Sequence, residues 1–401
     1  MKILSTLLLF FTSTLLLAQQ TQSITISSGG VDRDFFLYVP NIYNENTPAP
    51  LVFCLHGYGS SASANISYTG FRPVADTAGF ILIHPQGTQD LFGTPHWNVG
   101  WGASSVDDVA FVEDMIDYVN DNYNLNNDRI YSTGMSNGGF MSYLLACQLS
   151  DKIAAIASVT GSMSPSTFGS CSPNHPTPIL QIHGTDDGTV PYEGGLFSEG
   201  IDNVLNYWVN YNNCNTTPSQ TPIPDINSGD GTTVDHFVYD GGTNGTTVEL
   251  FKVYNGGHDW PGAFGNYDIS SNIEIWKFFS RYDINGSTAS IDEQDILQEF
   301  SLVPNPAREN LTVHRANSKT SSFKILSMDG KEVLTGLLNG TTASVDLKSL
   351  TSGAYLLISG YSSQHKELED ELTQLTKLDS TVVVNSGYLA NVGLINALSD
   401  K

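Results

Sequence analysis

Apolar and polar positions change period several times along the chain, and the changes mark out elements. Alternation between Gln22 and Pro40, on either side of Gly29-Gly30 and through Phe35-Phe36-Leu37-Tyr38-Val39, predicts an antiparallel hairpin. Unbroken apolar runs at Leu51 to Leu55 and Phe80 to Ile83, with a helical stretch around Val74 to Ala78 between them, predict two parallel buried strands. His84 to Ser105 has little periodicity; a loop of that length inside a compact domain usually carries function. A helix follows from about Val106 to Tyr123, its apolar face Val109, Val112, Met115, Ile116, Val119 and Tyr123, with Ser105 as the expected cap. Ile130 to Thr133 reads as a strand, and Phe140, Tyr143, Leu144 and Cys147 then recur at helical spacing. Ile153 to Val159 and Pro178 to His183 are expected strands, Ile201 to Tyr211 a helix with Leu205 and Trp208 on one face, and Asn212 to Gly231 a loop. Val234 to Tyr239 and Thr247 to Val253 alternate as strands do, and Ile269 to Tyr282 closes with a helix carrying Ile269, Ile273, Trp276 and Phe279. Strands alternating with helices predict an α/β class domain, a doubly wound, mostly parallel sheet.

The rhythm then changes. Residues 283–299 form a polar linker, and 300–360 break into short strands: Leu311 to Val313, Phe323 to Leu326, Glu332 to Leu334, Ala343 to Leu347 and Ala354 to Ile358. That pattern predicts a small all-β sandwich. In residues 361–401 an amphipathic stretch near Leu368 to Leu378 and a strand-like Thr381 to Val384 stay unassigned. At the other end Lys2 precedes an apolar run from Ile3 to Leu17 and then Ala18-Gln19, which reads as a signal peptide over 1–18. The run is short for a membrane span, and Thr and Ser interrupt it. The expected first domain is therefore 19–282.

Charge narrows the function. Seventeen Lys plus Arg stand against 41 Asp plus Glu, a formal charge of -24, which repels phosphate backbones and excludes nucleic acid as a partner. Four cysteines in an exported chain allow disulfides, although Cys54 lies within an apolar strand and reads as a small buried hydrophobe.

Candidate chemistry centres on Gly134-Met135-Ser136-Asn137-Gly138, a G-x-S-x-G nucleophile elbow between a predicted strand and a predicted helix. A serine hydroxyl is a poor nucleophile at neutral pH, so an imidazole must take its proton and a carboxylate must orient that imidazole. On this fold the order is serine, acid, histidine. His258, in the loop Asn255-Gly256-Gly257-His258-Asp259-Trp260, stands where the base belongs, whereas His183 at a strand end reads as structural. The acid is Asp186 or Asp187, and position alone does not separate them. Oxyanion donors are expected from the backbone N–H groups of Asn137 and Tyr58, the latter in His56-Gly57-Tyr58-Gly59. Trp97, Trp101 and Trp260 are candidates to stack on a sugar or phenolic ring.

Taken together, Leu55-His56-Gly57, Trp97-Asn98, Asp107-Asp108-Val109, the elbow with Gly139, His183-Gly184-Thr185-x-Asp187 with Val190-Pro191-Tyr192, and Gly257-His258-x-Trp260-Pro261-Gly262 resemble the secreted polyhydroxybutyrate depolymerase and feruloyl esterase group of α/β-hydrolases. The resemblance implies Asp187 as the acid and a bridge between Cys147 and Cys171; the position usually paired with Cys214, near Tyr239 to Gly242, holds no cysteine here. Phe300 to Pro306, Met328-Asp329-Gly330-Lys331 and Leu350-x-x-Gly353-x-Tyr355 resemble the C-terminal sorting domain of the type IX secretion system of Bacteroidetes. The implied protein is a secreted, monomeric serine esterase using no metal or cofactor. Its expected substrates are feruloyl or acetyl esters of plant polysaccharides or, as the alternative, polyhydroxybutyrate; its expected partner is the secretion machinery. A non-catalytic binding module is the reading from another class.

Overall fold

The computed structural model describes residues 21–288 throughout and, beyond them, 301–303, 310–314, 321–327, 332–350, 353–359 and 393–397. The chain divides into two compact units after Thr288.

In the first unit β1 (Thr21–Ser28) and β2 (Val31–Tyr38) form the expected hairpin, its turn made by Gly29 and Gly30 at φ 59° and 81°, a conformation that side chains with a Cβ rarely adopt. β3 (Ala49–Leu55), α1 (Ala62–Thr69), α2 (Arg72–Ala78) and β4 (Ile81–Pro85) come next, followed by the two-residue strands β5 (Thr88–Gln89) and β6 (Pro95–His96) that brace the long loop. α3 (Asp108–Asn122), β7 (Leu125–Met135), α4 (Asn137–Gln148), β8 (Ala155–Val159), α5 (Pro165–Ser170), β9 (Ile179–Gly184) and α6 (Ile201–Tyr211) continue the alternation. β10 (Ser219–Pro222), β11 (Thr233–Tyr239), β12 (Val248–Tyr254), α7 (Ser271–Phe279) and the hairpin β13 (Tyr282–Asp283) and β14 (Gly286–Ser287) complete it.

Ten strands make one sheet in the order β1-β2-β4-β3-β7-β8-β9-β12-β11-β10. From β4 to β12 neighbours run parallel, and antiparallel pairs cap both edges. β3, β8 and β9 are buried at every position, as strands covered by helices on both faces must be. One apolar layer gathers Phe53, Phe111, Met115, Tyr143 and Trp208, the other Val52, Phe80, Leu180, Trp260 and Phe278. This is the α/β architecture expected from the pattern.

Three local expectations are corrected. α3 is capped by Asp107, whose carboxylate accepts from Ala110 N at 2.9 Å, and not by Ser105; the helix starts two residues later than expected because Asp108 is drawn inward to Arg33, 2.6 Å away. Around α7 Ile269 and Phe279 of the expected face are buried together with Ile275 and Phe278, while Ile273 is exposed. Residues 283–288 are hairpin, not linker: Ile284 N donates to Asp128 O and Thr288 N to Arg281 O, both at 2.8 Å, which carries the first unit to Thr288.

The second unit holds a three-stranded sheet of β15 (Ser301–Val303), β16 (Asn310–His314) and β19 (Thr342–Asp346) and a four-stranded sheet of β18 (Glu332–Leu338), β17 (Ser321–Ser327), β20 (Gly353–Ser359) and β21 (Gly393–Ala397). Leu311, Val313, Phe323, Ile325, Leu338, Val345 and Leu347 form its core. β21 pairs antiparallel with β20, so the segment left unassigned by sequence supplies a strand. The expected signal peptide, the Leu368 to Leu378 stretch and Thr381 to Val384 lie outside the described residues.

Candidate active site

Ser136 occupies the turn between β7 and α4 with φ 56° and ψ -122°, an outlier for a residue with a Cβ. Surrounding backbone enforces it. Ser136 N donates to Val159 O at 2.8 Å, and Phe140 N donates to Ser136 O at 3.0 Å. The glycines of the motif are required by space: a Cβ on Gly134 would lie 2.6 Å from the Gly138 carbonyl carbon, and one on Gly138 would lie 2.2 Å from Leu55 O. Strand and helix could not approach this closely around any larger residue.

His258 and Asp187 reach the same end of the sheet from the loops after β12 and β9, which pair in parallel up to Val253 and Gly184. His258 Nδ1 lies 2.8 Å from Asp187 Oδ2. A carboxylate only accepts, so Nδ1 carries the proton and Nε2 keeps its lone pair for a reacting group. The other oxygen, Asp187 Oδ1, accepts from Thr189 N and Val190 N, each at 2.8 Å. Burial alone would raise the Asp187 pKa, but the His258 bond and the Val190 N–H outweigh it and hold the carboxyl below its usual range. Asp186 is exposed, and its carboxylate accepts from Thr185 Oγ1 at 3.1 Å. The structure thus pairs Asp187 with His258. Among the described residues no hydrogen bond joins the Ser136 hydroxyl to the His258 ring, and catalytic contacts of this kind often tighten only in the substrate complex.

Gly57 brings the second loop to the serine: a Cβ placed on it would lie 3.4 Å from Ser136 Cβ. Among the described residues neither Tyr58 N–H nor Asn137 N–H donates to a protein group. Asn137 opens the twelve-residue α4, so the positive end of the helix dipole adds to its donor.

The tryptophans separate. Trp101 is partly exposed; its Nε1 donates to Phe197 O at 2.9 Å, and its ring packs edge-on against Phe140 and Tyr58. Trp97 and Trp260 are corrected: both are fully buried and offer no face to a ligand. Trp97 Nε1 donates to His56 O at 2.9 Å, and Trp260 packs against Tyr68 and Phe71. Cys147 and Cys171 form a disulfide; Cys54 and Cys214 are buried and reduced. Beside Cys214 stands Gly242, where a Cβ would lie 2.8 Å from the Cys214 sulfur.

His183 is the buried, satisfied strand-end histidine expected, but sequence reasoning missed the Gln181 and Tyr143 groups that hold it. His183 Nδ1 accepts from Gln181 Nε2 at 2.9 Å, that amide also donates to Gly161 O at 2.9 Å, and Tyr143 OH donates to Gln181 Oε1 at 2.8 Å. His183 Nε2 therefore bears the proton, donating to Val190 O at 2.9 Å and lying 3.5 Å from Asp187 Oδ2. A glutamine inside an otherwise apolar strand two residues before a histidine was the available signal.

Fold and elbow together define an α/β-hydrolase. Residues 41–220 match the Phospholipase/Carboxylesterase family and residues 301–367 the Secretion system C-terminal sorting domain family. Within the first unit, residues 41–220 thus match a carboxylesterase family, and the second unit matches a secretion-system sorting domain, a tail that marks the chain for secretion. It is 28% identical over 261 residues to the bifunctional acetylxylan esterase/xylanase XynS20E of Neocallimastix patriciarum, 65% of this chain but only 35% of that protein. To feruloyl esterase D of Neurospora crassa it is 28% identical over 275 residues, 65% of this chain and 86% of the relative. Among solved structures, an acetyl xylan esterase from Aspergillus awamori is similar with TM-score 0.48 and 14% identity, over 65% of this chain and 99% of that one.

Proposed function

We propose that the first unit hydrolyses feruloyl or acetyl esters of plant polysaccharides through an acyl-enzyme, with Ser136, His258 and Asp187 as the triad. The observation that carries the mechanism is the 2.8 Å bond from His258 Nδ1 to a buried carboxylate, which leaves Nε2 as the base. Ser136 Oγ attacks the ester carbonyl while His258 Nε2 takes its proton, and the oxyanion receives the Tyr58 and Asn137 N–H groups. Collapse expels the alcohol, which takes the proton from His258. Water then gives a proton to the same nitrogen and attacks the acyl carbon, releasing the acid and restoring Ser136. Each oxyanion donor contributes roughly 3 to 4 kcal/mol.

The relatives' names, acetylxylan and feruloyl esterase, support polysaccharide esters over polyhydroxybutyrate. Tyr58 and the partly exposed Trp101 beside it offer an aromatic surface to such a substrate. The enzyme acts as a monomer on polymeric substrate. Ser136→Ala, folded by circular dichroism, is expected to lose p-nitrophenyl acetate hydrolysis; retained activity would sink the mechanism, and failure of a fluorophosphonate to label Ser136 in the native protein would favour a binding module. Initial rates on methyl ferulate, acetylated xylan and polyhydroxybutyrate rank the substrates, and the polyester is expected last.

A further inference from the structure

Trp97 is placed where no substrate can touch it, yet it holds both pieces of backbone that bear the oxyanion donors. Its indole Nε1 donates to His56 O at 2.9 Å, in the loop that leads to Tyr58. Its main chain is clamped by the Asn137 side chain: Trp97 N donates to Asn137 Oδ1 at 2.6 Å, and Asn137 Nδ2 donates to Trp97 O at 3.1 Å. One buried residue therefore grips the Tyr58 loop with its ring and the first residue of α4 with its backbone.

Each grip bears on a particular peptide plane. The carbonyl on the plane that carries the Tyr58 N–H is Gly57 O, which accepts from His56 Nδ1 at 2.8 Å and from Ser60 N at 3.1 Å. A trans peptide points its N–H away from its C=O, so holding Gly57 O from one side aims the Tyr58 N–H out of the other. The histidine that does the holding is fixed in turn. Gly87 N donates to His56 Nε2 at 3.0 Å, which leaves the ring proton on Nδ1 for Gly57 O, and burial lowers the His56 pKa to about 4, so the ring is neutral in neutral solution. Trp97 holds the His56 carbonyl and packs 5.0 Å from its ring.

Behind Trp97 the hold continues to an ion pair. Asn98 N donates to Asp108 Oδ2 at 2.7 Å, and Asp108 Oδ1 accepts from Arg33 at 2.6 Å, with both charged side chains almost wholly buried. The guanidinium lies 3.9 Å over the Phe111 ring. Residues 97 and 98 are thereby fixed to β2 and α3, elements remote from the chemistry, and the otherwise irregular loop is pinned there by buried hydrogen bonds.

We infer that Trp97 is a positioning residue that sets the distance between the two oxyanion donors, Tyr58 N–H and Asn137 N–H, by bonding to both of their supports. The inference rests on the esterase mechanism above. It predicts a defect confined to the step in which charge develops on the carbonyl oxygen, because donors displaced by a fraction of an ångström still admit the planar ester but fit the tetrahedral oxyanion poorly.

The test is Trp97→Phe in the full chain, which keeps an aromatic ring and removes the indole N–H. With p-nitrophenyl acetate kcat should fall roughly 10- to 100-fold while KM stays within about two-fold. The second readout compares this ester with its thionoester, in which sulfur replaces the carbonyl oxygen and accepts the donors' hydrogen bonds poorly. Native enzyme should prefer the oxygen ester, and Trp97→Phe should lose much of that preference. A merely structural tryptophan would lower the melting temperature and leave the oxygen-to-sulfur ratio unchanged. Asn137→Ala keeps the backbone donor, cuts the clamp from the other side and should give the same compressed ratio; it decides the matter if Trp97→Phe does not fold. A folded variant with kcat within two-fold of native, or a lowered kcat with an unaltered ratio, overturns the inference. Ser136→Ala separates the two levels: if it stays active the esterase mechanism has failed, and if it is inactive while Trp97→Phe is neutral only the positioning role has.

Discussion

The ends of β9 and β12 each present a histidine to one carboxylate oxygen, and the two histidines differ in everything except that neighbour. His258 Nδ1 lies 2.8 Å from Asp187 Oδ2 and His183 Nε2 lies 3.5 Å from it. His183 is fully buried, with both ring nitrogens committed, one to Gln181 and one to the Val190 carbonyl. Burial lowers its pKa, opposed by the Val190 carbonyl and the Asp187 charge, so it stays neutral. The His258 ring is 22% exposed and has committed only Nδ1. Proximity to the acid does not make a general base; a free lone pair facing the reacting group does. His183 instead supports the backbone turn, through Val190, whose N–H groups hold the other oxygen of Asp187.

Replacing each histidine gives the largest test of that difference. His258→Ala removes the proposed base and is expected to reduce kcat on p-nitrophenyl acetate by about 10⁴-fold or more, with a melting temperature close to native. His183→Ala leaves one Gln181 amide N–H and the Val190 carbonyl unpaired in the core, so it should lose about 1 to 3 kcal/mol of stability, read in urea, while folded molecules keep kcat within roughly 10-fold. Equal activity losses in two well-folded variants would show that both rings take part in proton transfer.

This pair also shows what was legible in the sequence. His258 and the Asp186-Asp187 choice could be located because strand-end loops after apolar runs are where such a sheet exposes groups, and apolar runs are visible in one dimension. The ten-stranded sheet was legible for the same reason, except at edges such as β10, whose four residues are all exposed and leave no apolar mark. Burial of single aromatics was not legible. Trp97 and Trp260 sit in loops and look like Trp101 from sequence, but the side of a loop facing the core is decided by bonds to distant residues, here His56 and Asn137. Nor could the Ser105 cap be told from Asp107 until Arg33, a residue 75 positions from Asp108, was known to pull that carboxylate inward.

Burial of the neutral histidines should also show in acid. Burial lowers His56 from an ordinary 6.5 to about 4, and burial followed by the Arg72 charge lowers His84 to about 3. Burial of Glu249 would raise its pKa, but Arg281 and then His236 outweigh it and bring it from 4.5 to about 2. All three bind protons more weakly folded than unfolded, so stability is complete above the unfolded values and declines as pH falls towards the folded ones. The urea midpoint should therefore drop from about pH 6.5 downward and more steeply below about pH 4.5, each group losing about 1.4 kcal/mol per pH unit between its unfolded and folded pKa. A midpoint flat between pH 7 and 4 would mean that these histidines are not held neutral, and would remove the ground for treating His183 as their kin.

The smallest expected effect concerns the neighbouring carboxylates. Asp186 and Asp187 share a turn, and sequence position did not separate them. The Asp186 backbone N–H ties the two strand-end loops, donating to Gly256 O at 2.9 Å, but its side chain points outward to Thr185 Oγ1. That hydroxyl already accepts from Asn255 N at 2.8 Å, a bond that Asp186→Asn leaves in place. The substitution removes one exposed charge from a strongly acidic chain and should change kcat/KM less than two-fold and stability by less than about 0.5 kcal/mol. Asp187→Asn, of equal size one position on, breaks the His258 tautomer and should reduce kcat by about 10⁴-fold. If the two variants matched, the orienting charge would belong to the turn as a whole. A large gap assigns it to the one carboxylate that the backbone N–H groups of Thr189 and Val190 hold beneath the imidazole.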